Sequence, residues 1–233
     1  MFFLSRMLDN KLRLPKPDQA LPGRKRSIAT ASRHRIFKRP LKAALPDGFE
    51  QVIFGLGCFW AAERLFWRLP GVWMTAVGFS GGVTPNPTYQ EVCTGLTGHA
   101  ETVLVAYDPR EISWERLLGH FWESHDPTQG MRQGGDIGTM YRSVLHAFTA
   151  AQLSAAMASR DAYQQALTAG GHDRITTEIG PAGAFFHAEA EHQQHLDKNP
   201  NSQCATRGTG IVFPALQASR GRDGVFPDGQ DSA

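Results

Sequence analysis

One junction constrains this chain more than any other feature. The apolar run Gln51-Val52-Ile53-Phe54-Gly55-Leu56-Gly57 passes through glycine into Cys58 to Leu69, where apolar and aromatic residues fall at helical spacing until Pro70-Gly71. The first run reads as a buried strand and the second as a helix. A chain that alternates in this way must bury one face of a sheet under helices. Gly57 suits the tight turn between the two, and Cys58 sits where strand becomes helix.

The remaining pattern extends the same theme. Strands are expected at Val72 to Phe79, Glu101 to Tyr107, Tyr141 to Phe148 and Ile175 to Ile179. Helices are expected at Ser113 to Ser124, with Ser113 as N-cap, at Thr149 to Ala169 before Gly170-Gly171, and at Phe186 to Leu196 before Asn199-Pro200. Ser80 to Pro87 and the glycine-rich Gln129 to Thr139 read as loops. The fold class is therefore α/β or α+β. From Asn201 onward coil is expected, and residues 214–233 read as a disordered tail. The glycines of the second loop do not form a phosphate-binding fingerprint, so no nucleotide cofactor is expected.

Charge divides the chain unevenly. Residues 1–46 hold twelve of the 24 Lys and Arg but only two of the 22 acids, so a basic arm, partly ordered at best, precedes an acidic body. The arm reads as a solvated surface segment, with a transit peptide or an anion-binding tail as alternatives. Met1-Phe2-Phe3-Leu4 is too short for a secretory signal core, and no apolar run reaches the roughly 18 residues of a membrane span. The three cysteines, Cys58, Cys93 and Cys204, are widely spaced and odd in number. Reduced thiols in the cytoplasm fit that usage better than a disulfide framework or structural zinc.

A thiol attacks as its anion, and a helix N-terminus stabilises that anion through unpaired N–H groups and the helix dipole. Phe59 and Trp60 beside Cys58 offer an aromatic surface suited to a methyl thioether. On position alone, an inert buried cysteine with two core aromatics is an equally good reading.

The segment Gly57-Cys58-Phe59-Trp60-Ala61-Ala62-Glu63 resembles the signature of the peptide methionine sulfoxide reductase A family. Further segments resemble the family's motifs in order: Gly81 to Tyr89, Val92-Cys93-Thr94-Gly95, Gly98-His99-Ala100-Glu101, Phe121 to Pro127 and Tyr141-Arg142-Ser143. The resemblance spans residue 47 to about residue 204, and the catalytic domain is placed at residues 47–213. It implies a two-layer, ferredoxin-like α+β plait around a mixed sheet, with the active site near the first strand–helix junction. It further implies reduction of the S epimer of methionine sulfoxide, free or in peptides and proteins, with thioredoxin as reductant. No metal, nucleic-acid partner or membrane is implied, and a monomer is expected. Ala20-Leu21-Pro22-Gly23-Arg24 is similar to an extension of longer bacterial members.

A sulfoxide sulfur becomes electrophilic when its oxygen is protonated or strongly hydrogen-bonded, so the site requires an acid opposite the thiolate. By resemblance Glu101 is that acid, Tyr89 and Tyr141 aim phenolic donors at the same oxygen, Phe59 and Trp60 receive the substrate, and Asp136 holds its backbone. Cys204 is the candidate resolving thiol, in a segment read as mobile enough to swing toward Cys58, while Cys93 is assigned to packing. Met140 stands where many members have Gln, and Asn201-Ser202-Gln203 replaces the usual Gly and aromatic pair before the resolving cysteine. Rival readings are a Cys–His hydrolase using His99 or His125, a peptide binder without chemistry, and a metal site at His187, His192 and His195.

Overall fold

The computed structural model describes residues 11–215. A six-stranded mixed sheet runs in the order β7-β6-β1-β3-β2-β8. Its strands are β1 (Glu50–Leu56), β2 (Val72–Ser80), β3 (Ala100–Tyr107), β6 (Ser143–Ala147), β7 (Glu178–Pro181) and β8 (Phe186–His187). Only β6 and β7 pair in parallel, while β1, β2, β3, β6 and β8 pair antiparallel. The glycine-rich loop closes as a separate small hairpin, β4 (Arg132–Gln133) with β5 (Asp136–Ile137). From sequence this stretch is expected to be loop throughout.

Three helices cover one face of the sheet: α1 (Phe59–Trp67), α3 (Trp114–Glu123) and α4 (Ala150–Ala169). Strand residues two apart point the same way. Val52, Phe54 and Leu56 of β1 and Val103, Val105 and Tyr107 of β3 thus share one core with Ala62, Phe66, Phe121, Trp122 and Tyr163 from the helices. Each such large side chain contributes about 1.5–3 kcal/mol by leaving water. The helices start where their caps allow: Ser113 accepts from the Arg116 N–H, and Thr149 forms a reciprocal capping box with Gln152. A short α2 (Tyr89–Cys93), not expected from sequence, begins in the same way at Thr88 with Glu91.

Two expectations are corrected. The strand expected at Ile175 to Ile179 starts only at Glu178, where its backbone pairs beside Val144. The helix expected at Phe186 to Leu196 shrinks to α5 (His195–Lys198). Phe186 and His187 pair instead with Phe79 and Gly78 on the open edge of β2. The Gln193 side chain then serves the Val77 N–H and C=O at 3.0 and 2.8 Å, and Gln194 turns left-handed at φ 49°. Satisfying an edge strand outweighs the helical spacing of the apolar residues.

The segment before β1 is packed rather than simply solvated. Leu41 clusters with Met74, Ala76 and Ala106, and His34 is 0 % exposed against Thr75, with Nε2 to Oγ1 at 2.9 Å. Arg24 pairs with Glu91 at 2.6 Å, and the Thr30 hydroxyl donates to the Ala188 carbonyl at 2.6 Å. The segment thereby wraps the β2 edge and ties down α2 and the stretch before α5. The expected tail lies, from residue 216 on, outside the described residues, as does the Met1 to Leu4 opening. No helix among the described residues is long and apolar enough to cross a membrane.

Candidate active site

The junction between β1 and α1 requires glycine. Gly57 has φ +92°, and a Cβ there would stand 2.7 Å from the Gln133 side chain. The turn delivers Cys58 to the N-cap position of α1. The first N–H of the helix, from Phe59, donates to Glu101 Oε2 at 2.9 Å. The first turn of α1 therefore sets the thiol beside a carboxyl that is held by one of the helix's unpaired donors.

Glu101 stands near the start of β3, opposite Phe79, and is 2 % exposed. Burial pushes its pKa up to about 8; the Phe59 N–H pulls the other way, and the nearby Cys204 and Asp136 charges add to the rise. At neutral pH it is a carboxylic acid able to donate. Tyr89 and Tyr141 are half-buried, and each phenol is held protonated first by desolvation and then by the Glu101 charge. Tyr141 also feels Asp136 and Cys58. These groups thus converge on one place from α1, β3, the start of α2 and the short 3-10 turn Thr139–Tyr141. Asp136 itself is exposed on β5 and lines two adjoining cavities of about 230 Å³ each. One holds Cys58, Ala61 and Gln133, and the other holds Cys93, Met140 and Tyr141.

Cys204 stands close enough to Cys58 for each thiol to shift the other's titration. Arg64 Nη2 holds the Cys204 carbonyl at 2.8 Å. In this resting pair the Cys204 thiol is lowered by its interaction with Cys58. The Cys58 thiol is raised by that same interaction, then by burial and the Glu101 charge. A positional argument predicts the opposite for Cys58, since it weighs only the helix terminus and omits the second sulfur.

The aromatic wall is layered. Phe59 is buried in a cluster with Val77, Phe79, Val92 and Met140, and stacks on Tyr89 at 6.1 Å. Trp60 is half-buried, donates its indole N–H to His192 Nδ1 at 3.3 Å and stacks on His195 at 3.9 Å. Of the three histidines considered as metal ligands, His192 and His195 therefore support Trp60, and His187 packs edge-on to Phe185. The histidines of the hydrolase reading are engaged elsewhere. His99 bonds the Gly82 N–H and the Thr84 carbonyl, and His125 bonds the Phe121 carbonyl and Ser143. Cys93 packs on the same apolar cluster as Tyr89, with its thiol raised by burial.

One residue that matters here escaped the sequence-based reading. Glu63 is fully buried on α1, with its pKa raised by burial to about 7. It accepts from the Gln194 backbone and side-chain N–H groups, both at 2.7 Å, and from Thr75 at 3.1 Å. Gln194 and the adjacent His192 and His195 are thereby fixed against the helix that carries Cys58. The available signal was an acid among the core positions 59, 62 and 66 of one helix face.

Comparison with known proteins agrees with this geometry. Residues 50–217 match the family model described as peptide methionine sulfoxide reductase. The chain is 60% identical over 215 residues to the peptide methionine sulfoxide reductase MsrA of Pseudomonas aeruginosa, covering 92% of this chain and all of that one. It is 59% identical to the MsrA of Brucella anthropi, covering 88% and 94% of the two chains. Among solved structures, methionine sulfoxide reductase A of Corynebacterium diphtheriae superposes with a TM-score of 0.78 at 42% identity, over 86% of this chain and 97% of that one. A family model across most of the chain, and relatives matched along nearly their whole length, place this chain in the peptide methionine sulfoxide reductase family, as an oxidoreductase that reduces methionine sulfoxide.

Proposed function

We propose that this reductase acts on the S epimer of methionine sulfoxide, free or within oxidised proteins, through a sulfenic acid on Cys58 and then a Cys58–Cys204 disulfide that thioredoxin reduces. The observation that carries the reading is the Cys58 thiol at the start of α1, beside a buried Glu101 held by the Phe59 N–H at 2.9 Å and with Cys204 close by. Substrate entering between the sulfurs removes the largest cause that keeps Cys58 protonated. Its thiolate then attacks the sulfoxide sulfur while Glu101 gives its proton to the oxygen, with the Tyr89 and Tyr141 phenols as further donors. The S=O bond breaks, methionine leaves, and the oxygen remains on Cys58 as S–OH. Asp136 holds the substrate backbone, and Trp60 over the buried Phe59 receives the methyl group.

Return of Cys204 to its resting place brings a second thiol against the sulfenic acid. Its sulfur displaces hydroxide, which leaves as water with one proton, and the disulfide forms. An external dithiol, here thioredoxin, restores both thiols. A thiol cycle of this kind belongs in a reducing cytoplasm, where the external dithiol is kept reduced.

The test offers separated S and R sulfoxide epimers of one peptide to the wild type with dithiothreitol and measures methionine. Product from S alone is expected, and preference for R sinks the epimer assignment. Cys58→Ser should make no methionine with any reductant. Cys204→Ser should release one methionine per enzyme and stop under thioredoxin, and full thioredoxin-driven turnover in that variant overturns its resolving role.

A further inference from the structure

The cavity on the Tyr141 side of the site has a wall that the catalytic residues do not supply. Lys11 lines it together with Cys93, Asp136, Gly138 and Tyr141. Its carbonyl lies 3.6 Å from where a Cβ on Gly138 would stand. Pro15 similarly lies 3.7 Å from the Cβ position of Gly98. Further along, the Leu21 N–H donates to the Leu96 carbonyl at 2.9 Å, and the Thr84 hydroxyl donates to the Leu21 carbonyl at 2.8 Å. Arg24 then closes the run on Glu91 and the Asn86 carbonyl. The segment is thus laid along the loop between β2 and β3, and its early end is set at the mouth of the site.

The charges at this mouth are unlike. Lys11 brings an ammonium near enough to help lower the Cys93 thiol, while Asp136 brings a carboxylate on the shared wall of both cavities. No ion pair joins Lys11 to Asp136 among the described residues. From the place of Lys11 on the wall shared with Asp136 we infer that a polypeptide held by its backbone at Asp136 sets a neighbouring side chain against Lys11, and that the Lys11 cavity is a subsite for an acidic residue flanking the methionine sulfoxide. The inference rests on the proposed placing of substrate backbone at Asp136.

End-blocked peptides carrying S-methionine sulfoxide between two Asp or between two Lys residues test it, with kcat/KM from methionine released in dithiothreitol. The wild type should favour the Asp peptide by about threefold, as expected of a partly solvated ion pair, with the margin shrinking at high salt. Lys11→Ala should bring the two peptides together, and Lys11→Glu should invert the order. A third peptide, with Gly neighbours and a free C-terminal carboxylate, separates a side-chain carboxylate from a terminal one, and matching the Asp peptide would overturn the residue assignment. Equal wild-type rates, or a preference untouched by Lys11→Glu, overturn the subsite while leaving the reductase reading intact. Absence of methionine from every peptide would instead overturn both. Unchanged melting temperatures of the Lys11 variants exclude misfolding as the cause of any shift.

Discussion

Glu101 is protonated at neutral pH because burial penalises its anion more than the Phe59 N–H stabilises it. Two consequences can be measured. With a pKa of about 8, the rate of sulfoxide reduction should fall as pH rises through that value, because the carboxyl loses the proton it must give. Glu101→Gln should lower kcat at pH 7 by about a hundredfold and abolish this acidic dependence. Stability follows the same proton. Between the ordinary carboxyl value of 4.5 and about 8 the folded protein holds a proton that the unfolded chain has lost, so stability drops as pH rises across that window. Urea denaturation from pH 6.5 to pH 8, above the range where the buried histidines act in the opposite sense, should show that slope, and Glu101→Gln should flatten it. A slope unchanged in the variant assigns the effect elsewhere, Glu63 being the next candidate.

The working element is the β1–α1 junction. Strand pairing fixes one side, the core residues Ala62 and Phe66 fix the other, and Gly57 joins them in the left-handed region. Gly57→Ala places a methyl group into Gln133 at a φ that alanine disfavours, and should cost about 1–3 kcal/mol in denaturant titration. The middle of α1 also anchors the segment of the resolving thiol, through Arg64 on the Cys204 carbonyl. Arg64→Ala should slow disulfide formation several-fold more than release of the first methionine, as read by stopping the reaction with an alkylating agent. Equal slowing of both steps would contradict the anchoring role.

For the whole molecule, the segment before β1 acts as a strap across the β2 edge. His34 accepts the Ile36 and Phe37 N–H groups at Nδ1, so its Nε2 carries the proton toward Thr75, which in turn donates to Glu63. Burial lowers the His34 pKa to about 4, so its contribution is present above pH 6.5 and is lost as acid forces the ring to charge. Leu41→Ala should cost about 2–4 kcal/mol by leaving a hole against Met74 and Ala76. Removing residues 1–46 should lower the melting temperature by more than that single change. An unchanged melting curve after truncation would mean that the strap packs without stabilising.

Local chemistry was readable from sequence wherever a short stretch decides its own conformation. Strands β1, β2 and β3, helices α3 and α4 with their Ser113 and Thr149 caps, and the glycine turn before Cys58 all fall in that class. A cap, a turn or an alternating pattern is satisfied within a few residues, so the amino acids themselves determine it. Tertiary structure decided what depends on distant partners. The free edge of β2 turned the spacing of residues 186–196 into a strand and a left-handed turn. The burial of Glu101 made an acid of it, and contact with Cys204 set the resting state of Cys58. Contact likewise brought Lys11 to the same mouth as Tyr141. A pKa or a subsite belongs to surroundings assembled from residues far apart in the chain, and no window of sequence contains those surroundings.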